Sequence, residues 1–166
     1  LNIPLGDFNR GTVGQPSFEW QGQRIAPNIC YEDLFGEELA ARFSDPAQAP
    51  TVLVNFSNIG WFGNTLAVDQ HLQISRMRAL ELERPMVRAT NTGATVIIDH
   101  RGVVTHALER FSRGVLRGEV HGRGLGVSGG AAITPFAWWA SRWGLWPLWL
   151  LAGLGVAAGW LGRRRR

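Results

Sequence analysis

The chain has 166 residues, 45% of them hydrophobic and 18% charged, which is enough to build the core of one ordinary domain and too apolar for a disordered segment. All 17 basic residues are arginine and four of them form the run Arg163 to Arg166, so the rest of the chain balances 13 basic against 13 acidic residues. The basic pI is a tail effect, and a nucleic-acid-binding surface, which needs basic residues gathered on the folded part, is excluded. The single cysteine, Cys30, excludes an internal disulfide. His71, His100, His106 and His121 are scattered without ligand-like spacing, so neither a metal nor another cofactor is expected.

The chain starts at Leu1 and enters at once into Asn2-Ile-Pro-Leu-Gly-Asp-Phe8, which reads as mid-protein sequence with no signal peptide. Arg24 to Ile29 reads as a strand, and Cys30 follows on a turn into the polar segment Tyr31-Glu32-Asp33. A lone cysteine is often a small buried hydrophobe. Lifted on a strand-to-helix turn, however, a thiol meets solvent while the next backbone N–H points into the same space, as covalent acyl transfer requires.

Beyond the turn, residues 35–43 predict a helix, and the apolar, β-branched run Thr51 to Phe56 a strand covered on both faces. A helix over 66–83 carries Ile74, Met77 and Leu80 on one stripe, expected to face the core, and Pro85 ends it. Further strands are expected at 86–90, 94–99, 103–107 and 114–120, with Asp99-His100-Arg101-Gly102 as a turn. The fold class is therefore α/β or layered α+β.

Residues 122–130, Gly-Arg-Gly-Leu-Gly-Val-Ser-Gly-Gly, read as a flexible tether. From Trp143 to Gly162 no side chain is charged. As a helix this run would be roughly 30 Å long, the thickness of a bilayer's hydrocarbon core. Trp143, Trp146 and Trp149 at one end, Trp160 at the other and the arginines beyond match interfacial anchoring, with the C-terminus cytoplasmic.

Three blocks carry a family resemblance: Asn28-Ile-Cys-Tyr-Glu-Asp-Leu-Phe-Gly-Glu-Glu38, Asn55-Phe-Ser-Asn-Ile-Gly-Trp-Phe-Gly63, and Gln70 through Arg84-Pro-Met-Val-Arg-Ala-Thr-Asn-Thr-Gly93. Together they resemble the apolipoprotein N-acyltransferases, membrane-embedded members of the nitrilase (carbon-nitrogen hydrolase) superfamily. Thr134-Pro-Phe136 through Trp146-Pro-Leu-Trp149 is similar to the end of such proteins. The resemblance implies the C-terminal part of a nitrilase-like αββα sandwich over residues 1–121, a linker at 122–135, and a segment leading into the membrane at 136–162. The transmembrane core would be 143–162 and the cytoplasmic basic tail 163–166.

It also implies a Glu-Lys-Cys triad. Cys30 corresponds to the nucleophile, whereas the chain contains no lysine, so the triad Lys, and the Glu with it, would lie upstream of Leu1. The implied reaction moves an acyl chain from a membrane phospholipid through a Cys thioester to the amine of a diacylglyceryl-cysteine apolipoprotein at the inner membrane, on its periplasmic side. The backbone N–H of Tyr31 is a candidate oxyanion donor. Glu32 could support a neighbour or the incoming amine, or simply complement a helix dipole. Trp61 and Phe62 could line an acyl pocket or cap the core. Asn58 and Asn91 are expected to fix loop backbones, and His71 to be a satisfied packing residue. Two alternatives stay open: a membrane-tethered nitrilase-like amidase, and a non-catalytic membrane-anchored remnant.

Overall fold

Strand β1 (Phe18–Trp20) turns back onto β2 (Gln23–Ile29) through Gln21 and Gly22, both at positive φ (48° and 74°), the conformation a two-residue hairpin needs to match strand twist. Sequence reading misses this hairpin because Gln is a poor signal for a left-handed position. β2, β3 (Val52–Ser57) and β4 (Met86–Thr90) run parallel, and β5 (Val96–Ile98) and β6 (Val104–Ala107) continue the sheet antiparallel. The spatial order of the six strands is their chain order. In this computed structural model the described residues are 11–124, 126 and 133–164. The opening Asn2–Phe8 and most of the 122–130 tether lie outside them.

The parallel strands need crossovers, and helices supply them. Between β2 and β3 come a 3-10 turn (Cys30–Leu34), α1 (Gly36–Ala40) and a second 3-10 turn (Ala41–Phe43); between β3 and β4 come a third (Gly60–Phe62) and α2 (Leu66–Leu82). α3 (Pro135–Trp143) packs against α1, starting where Thr134 Oγ1 accepts the Ala137 N–H at 3.1 Å and donates to the Glu81 carbonyl at 2.7 Å. Ala26, Leu53, Met86 and Ile98 from the sheet meet Leu39, Ala40, Phe43, Ala79, Leu82, Ala137 and Ala140 from the helices in one core. The class is α/β with a mixed sheet.

Three expectations are corrected. α2 buries Val68, His71, Ser75, Ala79 and Leu82, while Met77 and Leu80 are about half exposed (47% and 50%). The small and polar stripe faces the sheet because the helix approaches a polar network there. Residues 114–120 form no strand: Gly118 lies so close on the sheet that a Cβ there would come within 2.6 Å of Ile97 Cδ1, so this segment covers the sheet without extending it. Trp143 does not begin the apolar helix; Gly144, at φ 54°, breaks the run and α4 starts at Trp146 and continues to Arg164.

α4 stands clear of the core. From Trp146 to Arg163 every side chain is exposed except the half-buried Pro147. Among the described residues no single helix is long and apolar enough to cross a membrane; α3 and α4 satisfy that criterion only as a pair, bent by 83°.

Candidate active site

Cys30 is the first residue beyond β2, and its φ of 54° lies in the left-handed region that non-glycine residues rarely occupy. This kink turns the chain from the strand into the 3-10 turn and leaves the thiol half-buried. Two side chains brace it. Glu32 Oε2 accepts the Ile29 N–H at 2.6 Å, closing the turn from within. Asn55 Nδ2 donates to the Cys30 carbonyl at 2.9 Å from the neighbouring strand.

Asn55 belongs to a cross-strand row. Asn28, Asn55 and Arg88 are successive register partners on β2, β3 and β4, so they share the face that packs against the helices. Asn55 Nδ2 also donates to Asn28 Oδ1 (2.6 Å), and Asn28 Nδ2 donates to the Val54 carbonyl (3.0 Å).

Asp33, three residues after Cys30 and fully buried, joins this row to α2. His71 Nε2 donates to Asp33 Oδ1 at 2.9 Å, Ser75 Oγ to Oδ2 at 2.5 Å, and Arg88 Nη1 to Oδ2 at 3.4 Å. Arg88 Nη1 also donates to Ser75 Oγ. Burial pushes the Arg88 guanidinium below its ordinary value, while its neighbours Asp33 and then Cys30 draw it back up. His71 is buried on α2 with its Nε2 bonded to Asp33. Asp33, Ser75 and Arg88 escape sequence reading: nothing in the residue order shows that a turn, a helix and a strand bring them together.

Because β2 and β3 are parallel, the turn after β3 lies at the same end of the sheet as Cys30. There Trp61 and Phe62 are exposed, 58% and 54%, and are covered by no core among the described residues. Their turn is held by Ile59, which is buried, and by the Asn58–Asn91 pair: Asn91 Nδ2 donates to Asn58 Oδ1 at 2.7 Å, and Asn91 Oδ1 accepts the Ile59 N–H at 3.1 Å. Ile29, Tyr31 and Phe56 add exposed apolar surface around Cys30. A cavity of about 300 Å³ lined by Pro85, Ile97, His106 and His121 lies at the opposite end of β4, away from this chemistry. Among the described residues no group of three or more His, Cys, Asp or Glu side chains is placed to hold a metal ion.

A strand, a left-handed cysteine and a short turn, beside parallel strands that carry Asn28, Asn55 and Arg88, has the shape of an elbow that presents a side chain at the strand end. The carbon-nitrogen hydrolase profile matches residues 4–123, which takes in every residue of this arrangement. The chain belongs to the carbon-nitrogen hydrolase family. An apolipoprotein N-acyltransferase of Verminephrobacter eiseniae is 79% identical over 87% of this chain and 27% of its own length. One of Ralstonia nicotianae is 51% identical over the whole chain and 29% of its own length. The chain therefore spans less than a third of these curated relatives. Among solved structures, a carbon-nitrogen hydrolase from Helicobacter pylori is similar in fold, with a TM-score of 0.53 at 13% identity over 62% of this chain and 42% of that one.

Proposed function

We propose that this chain is the C-terminal part of an apolipoprotein N-acyltransferase, and that Cys30 is its nucleophile. The observation that carries the reading is the left-handed Cys30 at the C-terminal end of β2, in a chain so similar to proteins of that name. The Cys30 thiolate attacks the ester carbonyl of a membrane phospholipid; the C–O bond breaks, a lysophospholipid leaves with a proton, and a thioester forms. The free α-amine of a diacylglyceryl-cysteine on an apolipoprotein then attacks the thioester, the C–S bond breaks, and an amide is released with the thiol restored.

Both steps pass through a tetrahedral oxyanion, for which the Tyr31 backbone N–H, at the start of the turn, is one donor. Glu32 keeps the elbow closed through its bond to Ile29. Trp61 and Phe62, exposed at the same end of the sheet, offer apolar surface to the acyl chain. The base and a cationic oxyanion stabiliser come from a Glu and a Lys outside these 166 residues, which hold no lysine. Alone, this chain is expected to be inactive. α3 and α4, which are long and apolar enough only together and are bent by 83°, are read as the segment that enters the membrane, with Arg163 to Arg166 on the cytoplasmic side of the inner membrane and the Cys30 domain in the periplasm.

Cys30→Ala in the full-length protein tests the assignment. It should reach wild-type levels yet release no lysophospholipid and form no acyl adduct by mass spectrometry. Substantial acyl transfer by Cys30→Ala would overturn it, and acyl release to water in place of the amine would favour an amidase.

A further inference from the structure

The Cys30 turn is gripped from outside by three elements. Asn55 on β3 holds the Cys30 carbonyl, Ser75 and His71 on α2 hold the Asp33 carboxylate, and Arg88 on β4 reaches the same carboxylate. A residue at φ 54° persists only where its surroundings over-determine it, and Asp33 lies in the same five-residue turn as Cys30. We propose that the buried Asp33–Arg88 ion pair is a positioning device for the nucleophile, fixing the turn so that the Cys30 thiol is held in its reacting orientation.

Stability alone does not account for this pair. Two charges whose side chains are both 0% exposed lose their hydration, and an apolar pair of similar volume commonly does as well or better for the fold. Arg88 Nε and Nη2 are also buried and have no protein hydrogen-bond partner among the described residues, so the cation is matched on one nitrogen only. What the pair supplies is direction: the carboxylate is fixed at both oxygens, and the backbone three residues back cannot rotate without breaking those bonds. Arg88 and Asp33 need not touch the substrate; they act through Cys30.

The inference rests on the reading of Cys30 as the nucleophile. Its test uses the full-length protein in phospholipid vesicles, with Asp33→Leu/Arg88→Met, Asp33→Asn and Cys30→Ala side by side. The double variant replaces the ion pair by apolar groups but takes the acceptor from His71 Nε2 and Ser75 Oγ, so it should melt lower than wild type. Measured on the folded protein, it is expected to keep its KM, while the single-turnover rate of thioester formation falls about 10²-fold, the scale of a misplacement near 1 Å.

Asp33→Asn keeps the shape and removes the charge, and because it leaves the buried Arg88 cation without its counter-ion its protein level and melting temperature should fall; in the folded fraction it should lower kcat about tenfold at wild-type KM, and that per-molecule rate decides the matter if the double variant folds poorly. A purely structural role would move the melting temperature and leave kcat in place. Wild-type kcat in a folded double variant, or in Asp33→Asn should the double variant fail to fold, while Cys30→Ala is inactive, overturns the positioning role and leaves the nucleophile intact. Activity in Cys30→Ala overturns both.

Discussion

Asn55 Nδ2 donates to the Cys30 carbonyl at 2.9 Å, so a side chain of β3 holds the backbone of the residue that follows β2. The same amide serves Asn28 Oδ1. Asn55→Leu strands both acceptors in a site where Asn28 and Asn55 are buried, and an unpaired buried polar group costs about 1–3 kcal/mol. The variant should unfold at lower denaturant, with a loss of about 2 kcal/mol, and acyl transfer should drop further than the stability loss explains. Equal stability in denaturant titrations would show that the amide does not carry the turn.

The left-handed backbone of Cys30 separates stability from activity. For an L-residue that conformation costs about 1–2 kcal/mol, whereas glycine adopts it without steric penalty. Cys30→Gly should therefore melt above Cys30→Ala, though neither transfers acyl groups. The reverse ranking in thermal denaturation would mean that no strain is stored at this position.

Glu81, on α2, carries a carboxyl raised above its ordinary value, first by burial, opposed by Arg78 and reinforced by Glu37. A group whose folded value is raised contributes stability that is present below its unfolded value of about 4.5 and lost as pH rises through the folded one. Glu81→Gln does not titrate and escapes that loss. Its melting temperature relative to wild type should therefore climb as pH rises from about 4 to about 7, and a difference that stays flat over that range would remove Glu81 as the cause.

α4 presents Leu150 and Leu151, 63% and 64% exposed, uncovered by any of the described residues. If lipid covers them, an arginine at the centre of the span should weaken insertion by about 2.5–3.5 kcal/mol. Leu154→Arg should shift the full-length protein toward misinsertion or degradation, and a reporter fused after Arg166 should behave as cytoplasmic. A periplasmic reporter, or an α4 segment that accepts Leu154→Arg without consequence, would refute the span.

Much of the scaffold is legible in the residues. Arg24 to Ile29, Thr51 to Phe56 and 86–90 read as strands because β-branched runs bounded by turn residues have few alternatives, and Pro85 marks the end of α2 correctly. Cys30 is legible as the end of a strand. So is the Asp99–Gly102 turn: Gly102 takes φ 76° and its N–H donates to the Asp99 carbonyl at 3.0 Å. The faces are harder. Periodicity places Met77 and Leu80 on one stripe but does not say which stripe meets the sheet, and the presence of Arg88 beneath α2 selects the polar one. Asp33 reads only as part of the polar segment after Cys30 because its partners lie 38 to 55 residues away. The break at Gly144 is hidden inside an uncharged run, where hydropathy is blind to a change of direction.

Among the described residues every strand pairs only with its neighbours in the chain, from β1 through to β6. Such a sheet can be laid down strand by strand as the polypeptide emerges, each parallel pairing closing over its own helical crossover. The contact between Asp33 and Arg88, 55 residues apart, is among the last to become possible along this route. Until β4 is in place the cysteine turn lacks its outer grip, so a nascent chain would carry an unfinished elbow, and the thiol would reach its working shape only after most of the sheet exists.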